Sequence, residues 1–341
     1  MKIAMVAPIW ERVPPARYGG IELVCSLLTE ELVRRGHEVT LFASGDSVTD
    51  AELSYVYHIA QREHIGNLVI DLNHVSRAYL RAGEFDVIHN HAGYSGVVMA
   101  GLVDTPVLTT LHGIFTDVNK PLFQAFKDAV YYNSISDEQR RACPELNYVG
   151  TVYNAVDIDT FPFRETKDDY YLFIGRMSPL KGADLAAEVA SRAGVRLVMA
   201  GKIDVTDEEY FKAKVDPLID GEQIVFKGEV SRDEKRDLLA GAKGFIFPLQ
   251  WSEPFGLVMV EAMVTGTPVI AFPYGSVPEI IDDGKTGFLV NNPDEMVETL
   301  PRLEELDPFE CRRTVEARFG VGHMTDRYEE LYETILARHS R

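Results

Sequence analysis

"KIAMVAPIWERVPPARYGGIELVCSLLTEELVRRGHEVTLFAS", residues 2–44, holds two kinds of hydrophobic pattern in turn. A short apolar run, "KIAMVAP", leads to "GGIELVCSLLTEELVRRGH", where apolar residues recur at helical spacing, and then to a second apolar run, "EVTLFAS". Gly36 stands where such a helix would end. Strand, helix, strand in this order predicts parallel neighbours with a helix laid across them. The alternation continues through "FDVIHNH", "PVLTTLHG", "VYYNSIS" and "YVGTVYN". It resumes in "YYLFIGR", "VRLVMAG", "QIVFKGE", "GFIFPLQ", "TPVIAFP" and "TGFLV". Between the two series, near 155–168, lies a polar junction without periodicity, "VDIDTFPFRETKDD". The expected fold class is therefore α/β, with two doubly wound, Rossmann-like parallel-sheet domains over residues 1–158 and 159–318. Residues 319–341 follow as a helix whose apolar stripe, Met324, Tyr328, Leu331, Tyr332 and Ile335, must pack on something already built.

Composition narrows the function. A chain of 341 residues with 46% hydrophobic content is long enough for two cores. No apolar run approaches the ~20 residues of a membrane span. "MKIAMVAP" reads as a first strand and not as a signal peptide. Three scattered cysteines, Cys25, Cys143 and Cys311, fit a reducing cytoplasm and neither a disulfide framework nor a zinc site. The net charge of −19 divides into −6 for residues 1–155 and −13 for the rest, which argues against nucleic acid as a partner. A cationic phosphate site must be local.

In open parallel sheets ligands bind beyond the carboxyl ends of the strands, and the chemistry-bearing residues fall there. After the first strand, Gly19 and Gly20 open a helix, where backbone can approach a phosphate or sugar closely. No GxGxxG follows, which sets aside an NAD-dependent dehydrogenase. After "YYLFIG", Arg176 and Lys181 flank a proline ahead of a helix. Arg as a planar fork and Lys as a point charge can embrace a diphosphate. His112, in "TTLHG", ends a strand of the first domain.

The stretch "WSEPFGLVMVE", residues 251–261, sets a glutamate at each end of an apolar run. Glu253 precedes Pro254 and so lies in a loop. "FGLVMVEAMVTG" reads as a helix ended by Gly266, with Glu261 roughly 9 Å along its axis from Phe255 at ~1.5 Å per residue. The free amides of Gly256, Leu257 and Val258 can lie between the two carboxylates. Both acids come from one segment and approach from one side, which does not suit a glycosidase pair placed across one bond. Asp157 and Asp159 spell DxD in the polar junction and read as a turn. His89 and His91 read as a strand-end pair lining a cleft or bonding backbone, with no third ligand spaced to make a metal site.

Together these residues resemble the family-4 retaining glycosyltransferases of the GT-B fold. The matching elements are Gly19-Gly20-x-Glu22, His112-Gly113, Ser134-x-Ser136, Asn154-x-x-Asp157, Gly175-Arg176-x-x-Pro179-x-Lys181-Gly182, Glu253-x7-Glu261 and the distal "GSVPEIIDDGKTGFLV". The resemblance covers nearly the whole chain in order. It implies two domains facing a central cleft, with the last helix crossing back to the first domain. It further implies that Glu253 binds hydroxyls of the donor sugar, Glu261 the ribose, Arg176 and Lys181 the diphosphate, and His112 the transferred sugar. Amides near Gly20, Leu257 and Val258 would assist. The expected activity is metal-independent, retaining transfer of a hexose from a nucleotide diphosphate sugar to an acceptor hydroxyl, without a cofactor. "PPARYGGIE" is similar to members that use UDP-glucose; GDP-mannose stays open, as does a non-catalytic nucleotide-sugar or carbohydrate-binding protein. The family's usual GGxPE stands here as Gly275-Ser276-Val277-Pro278-Glu279, expected to be tolerated outside the phosphate site. A soluble acceptor or glycan is favoured over a lipid, and the sequence carries no signal for oligomeric state.

Overall fold

The computed structural model of the protein describes residues 1–16 and 19–339. Arg17 and Tyr18, on which part of the "PPARYGGIE" reading falls, lie outside the described residues, as do the last two residues of the chain. The chain divides into two compact units, one of Met1–Ala155 together with the chain from Val321 on, the other of Val156–Gly320. The sequence had suggested boundaries at 158/159 and 318/319.

Among the described residues, the first unit is built on seven parallel strands: β1 (Lys2–Val6), β2 (Glu38–Phe42), β3 (Glu52–Ser54), β4 (Val87–Asn90), β5 (Val107–Leu111), β6 (Tyr131–Ser134) and β7 (Tyr148–Thr151), in the order β3-β2-β1-β4-β5-β6-β7. β4 and β5 are buried along their whole length, as expected of strands covered by helices on both faces. β3 escaped the sequence reading. "ELS" at a sheet edge is three residues long and has no β-branched or aromatic residue to mark it.

The second unit carries six parallel strands: β8 (Tyr171–Ile174), β9 (Leu197–Ala200), β10 (Ile224–Phe226), β11 (Phe245–Phe247), β12 (Val269–Ala271) and β13 (Gly287–Leu289), in the order β10-β9-β8-β11-β12-β13. Its core joins Phe173, Met199, Ile246 and Ile270 of the sheet to Ala186, Val189 and Ala190 of the helix Ala183–Ala193. In both sheets the winding direction reverses once, between β1 and β4 in the first and between β8 and β11 in the second. Ligands of doubly wound sheets bind at these reversals.

The final helix, Val321–His339, belongs to the first unit. Its apolar stripe is buried throughout. Arg35, just past the first helix, Gly20–Arg34, bridges Asp326 and Glu329 of the final helix at 2.6 and 2.5 Å. Two tyrosines of this helix reach polar groups inside the sheet. Tyr332 Oη lies 2.7 Å from His89 Nδ1, and Tyr328 Oη lies 3.1 Å from Thr110 Oγ1. Among the described residues no helix is long and apolar enough to cross a membrane.

Candidate active site

The second unit gathers most of the expected groups where its sheet reverses. Arg176 follows β8, and its side chain is held by carboxylates that follow β9: Nε lies 3.2 Å from Asp207 Oδ2 and Nη1 lies 3.5 Å from Asp204 Oδ2. Lys202 in turn pairs with Asp204, which holds that carboxyl below its ordinary range. Lys181 ends a short 3-10 turn, Pro179–Lys181, and Gly182 then takes φ 71° to begin the next helix. A Cβ at Gly182 would stand 2.1 Å from the Pro248 carbonyl oxygen, so only glycine lets the Lys181 turn sit against the end of β11.

Lys181 Nζ donates to Glu253 Oε2, and Trp251 Nε1 donates to the same oxygen at 3.0 Å. The ammonium also lies 5.2 Å from the Trp251 ring and 5.6 Å from the Phe247 ring, within cation–π range. Glu253 is 9% exposed, a buried carboxylate satisfied by one cation and one indole. Gly256, at φ 75°, then opens the helix Leu257–Val264. The amides of Leu257 and Val258 precede its first intrahelical bond and are open to an anion. Phe255 belongs to the segment expected to bind the donor. Its ring is buried and lies edge-on to Phe319, so it anchors the helix start to the core. Glu261 is buried on the same helix, and Oε2 lies 2.5 Å from Lys235 Nζ on the helix Arg232–Gly241.

The structure gives the GSVPE segment a larger part than the sequence suggested. Gly275 lies against the Glu253 backbone. Ser276 N donates to Glu253 O at 2.9 Å, and Ser276 Oγ donates to Phe255 O at 2.8 Å. The segment clamps the glutamate loop from behind. Asp204, Asp207, Lys202 and Lys235 were not singled out from sequence, because their roles depend on which strands and helices are neighbours.

The first unit supplies a second set. Gly19 is the N-cap of the helix Gly20–Arg34 and has no side-chain cap. The amides of Gly20 and Ile21 precede its first intrahelical bond, from Leu23 N to Gly19 O. Glu22, in the first turn, is buried. Burial above all, with Glu11 nearby, pushes its pKa up to about 7, against an accepted hydrogen bond from its own backbone that lowers it. Because the native pKa lies above the unfolded value of 4.5, its contribution is complete below about pH 4.5 and is lost as pH rises through about 7. Glu22→Gln is therefore expected to exceed the parent protein in stability by about 3 kcal/mol above pH 7. The gain should shrink to nothing near pH 4.5. Urea unfolding across that range tests it; a pH-independent difference would show that the carboxyl ionises normally.

His112 follows β5 and is half-buried, and burial pushes its pKa down to about 3. The expectation that His89 and His91 line a cleft or bond backbone is corrected. His89 is fully buried, with Nδ1 on Tyr332 Oη and Nε2 2.7 Å from Thr110 Oγ1. Both nitrogens are engaged, which leaves none for a metal. His91 instead meets His112: its Nδ1 lies 2.8 Å from His112 Nε2. Asp157, of the DxD decoy, opens the turn Ile158–Thr160. Among the described residues, no group of three or more His, Cys, Asp or Glu is arranged to hold a metal.

Two doubly wound parallel sheets, with cations, carboxylates and helix-start amides at the reversal of the second, define a glycosyltransferase of the GT-B fold. Residues 18–159 match the family model described as Glycosyltransferase Family 4, and residues 157–318 match Glycosyl transferases group 1. The chain belongs to this family of glycosyltransferases. An uncharacterized glycosyltransferase of Methanocaldococcus jannaschii is 27% identical over 89% of this chain and 89% of its own. The D-inositol 3-phosphate glycosyltransferase of Mycolicibacterium smegmatis is 26% identical over 95% of this chain and 89% of its own. Among solved structures, AviGT4, a glycosyltransferase involved in avilamycin A biosynthesis, superposes with a TM-score of 0.75 at 28% identity, covering 99% of this chain and 98% of its own. HepE of Anabaena, solved in complex with UDP-glucose, has the same fold, with a TM-score of 0.74 at 18% identity over 98% of this chain and 100% of its own.

Proposed function

We propose that the protein moves a hexose from a nucleotide diphosphate sugar, with UDP-glucose as the favoured donor, to an acceptor hydroxyl with retention of anomeric configuration. The observation that carries this reading is the Lys181–Glu253 pair beside the open amides of Leu257 and Val258, at the reversal of the second sheet. Breaking the anomeric bond builds negative charge on the departing diphosphate. Arg176, Lys181 and the two amides are fixed donors that can take up that charge without reorganising, which is where such sites derive several kcal/mol of rate enhancement. This charge set supports a mechanism that requires no divalent metal and no cofactor. Glu253 takes sugar hydroxyls, Glu261 takes the ribose, and His112 contacts the transferred sugar. The amides after Gly19 and Gly20 are assigned to the donor as well. UDP as the donor nucleotide is supported by HepE, whose fold this chain shares and whose structures hold UDP and UDP-glucose. The net charge of −19 supports a soluble acceptor or glycan in the cytosol over a lipid.

The test is thermal unfolding with UDP-, GDP-, ADP- and dTDP-sugars, with and without EDTA. A donor at ~100 times its Kd stabilises by ~2.7 kcal/mol, which in a domain of this size raises Tm by roughly 5–10 °C. UDP-glucose is expected to give that shift, unaffected by EDTA and lost in Glu261→Ala. A shift with GDP-mannose alone would reassign the donor. Binding without release of nucleotide under any acceptor would instead mark a binding protein.

A further inference from the structure

His91 follows β4 and His112 follows β5, its sheet neighbour. Their rings stack at 30° with centroids 5.1 Å apart, and His91 Nδ1 lies 2.8 Å from His112 Nε2. His91 is 2% exposed, and its other nitrogen, Nε2, is buried with no hydrogen-bond partner among the described residues. His112 has no other hydrogen bond among the described residues, so its Nδ1 is open to a ligand.

One proton lies between the two rings, and it can belong to either. If His112 Nε2–H donates, the proton of His91 sits on its own Nε2. That would leave a buried N–H without an acceptor. If His91 Nδ1–H donates, the unpartnered atom is a bare lone pair. An orphaned buried N–H is rarer and costlier than an under-satisfied acceptor. The second arrangement wins, and it requires His112 to carry its own proton on Nδ1.

We propose that His91 is a positioning residue that fixes His112 as the Nδ1–H tautomer, so that His112 offers the transferred sugar a hydrogen-bond donor and not a base. The inference rests on the reading of His112 as a sugar contact. Burial holds all three rings, His89, His91 and His112, well below the ordinary histidine range, with neighbouring histidines adding to it at His89 and His91, so each carries a single proton at neutral pH. His89 packs 4.0 Å from His91, centroid to centroid, and is itself locked by Tyr332 and Thr110. The Thr110 hydroxyl donates to Asn133 Oδ1 at 2.7 Å, so it accepts from His89 Nε2–H. Hydrogen bonds thus lock His89 from the final helix, and His89 in turn packs against the His91 ring.

The experiment is nitrogen NMR of the full chain labelled at its histidine rings, without donor at neutral pH, with His112 assigned by loss of its signals in His112→Gln. Nδ1 of His112 is expected to be protonated and Nε2 bare; the reverse overturns the proposal without any variant at His91. In His91→Leu, His112 is expected to revert to the Nε2–H form and nucleotide release from UDP-glucose to fall about 10- to 100-fold, with donor Kd changed less than twofold. His91→Asn keeps an N–H near the same place and is expected to restore most of the rate. Equal loss in both variants, or no loss in either, would reduce His91 to packing. Absence of donor binding and release in the parent protein would sink the transferase reading alone, since the tautomer is read from the ligand-free chain.

Discussion

Replacing Lys181 with methionine is expected to lower glycosyl transfer by about 10²- to 10³-fold, the usual cost of removing one preorganised charge from a transition state. Methionine keeps an unbranched stem over the Trp251 and Phe247 rings, so packing is largely retained and the ammonium alone is lost. Stability should fall as well. Glu253, left with only the Trp251 indole, becomes a buried carboxylate without its cation, at about 1–3 kcal/mol. The double variant Lys181→Met/Glu253→Gln separates the two effects. It should regain most of the stability in urea unfolding and none of the activity. Turnover within threefold of the parent in Lys181→Met would remove this residue from the chemistry.

A second large effect is expected at a glycine that lies against the Glu253 backbone. Gly275 has φ 62°, and a Cβ there would stand 2.3 Å from both the nitrogen and the oxygen of Glu253. A left-handed backbone alone costs a non-glycine residue about 1–2 kcal/mol. The clash is with backbone atoms, which cannot swing aside as a side chain can. Gly275→Ala must therefore push the Glu253 loop outward and break both Ser276 bonds that hold it. We expect a stability loss of more than about 3 kcal/mol and donor affinity weakened by at least about tenfold, read by urea unfolding and calorimetry. Gly284→Ala is the control. Its φ is 75°, and a Cβ there would meet nothing within 4 Å, so it should lose only the backbone penalty. Similar losses in both variants would mean that conformation, and not the contact with Glu253, governs Gly275.

The chain's alternation of apolar runs and helical patterns was enough to reveal the two sheets, because parallel strands buried on both faces leave unbroken runs such as "VLTTL" and "YLFI". β3 was missed because a three-residue edge strand needs no such run. At the site, residues carried by one continuous segment were legible: the Glu253 loop and the helix after it follow from a proline, a glycine and an apolar period, though the helix begins at Leu257, two residues later than the pattern suggested. Partners brought from elsewhere were not. Asp207 reaches Arg176 only because β9 lies beside β8, and Lys235 reaches Glu261 across two helices. His91 and His112 are 21 positions apart and meet only because β4 and β5 are adjacent. Spacing along the chain carries no record of strand order. The same limit hid what Ser276 does in place of a glycine, where its hydroxyl ties down the Phe255 carbonyl.

The unit that carries Arg176, Lys181 and both glutamates begins at Val156 and ends at Gly320, and these two residues pair in a parallel bridge, with Val156 N donating to Phe319 O at 3.0 Å. Its entry and exit are thus side by side, and the polypeptide on either side of it must also come within a few residues' reach. In evolutionary and engineering language this is a cassette inserted into a host, with the final helix as the host's far end. Exchanging residues 156–320 as one piece with the matching segment of a relative would transplant the groups proposed to hold the donor while leaving the histidine rings and their tyrosine anchors untouched. A conventional cut that kept residues 1–155 and discarded everything after them would strip the host of Tyr328 and Tyr332, and with them the locks on His89 and Thr110. Chimeras of this chain should therefore be spliced at two points and never at one.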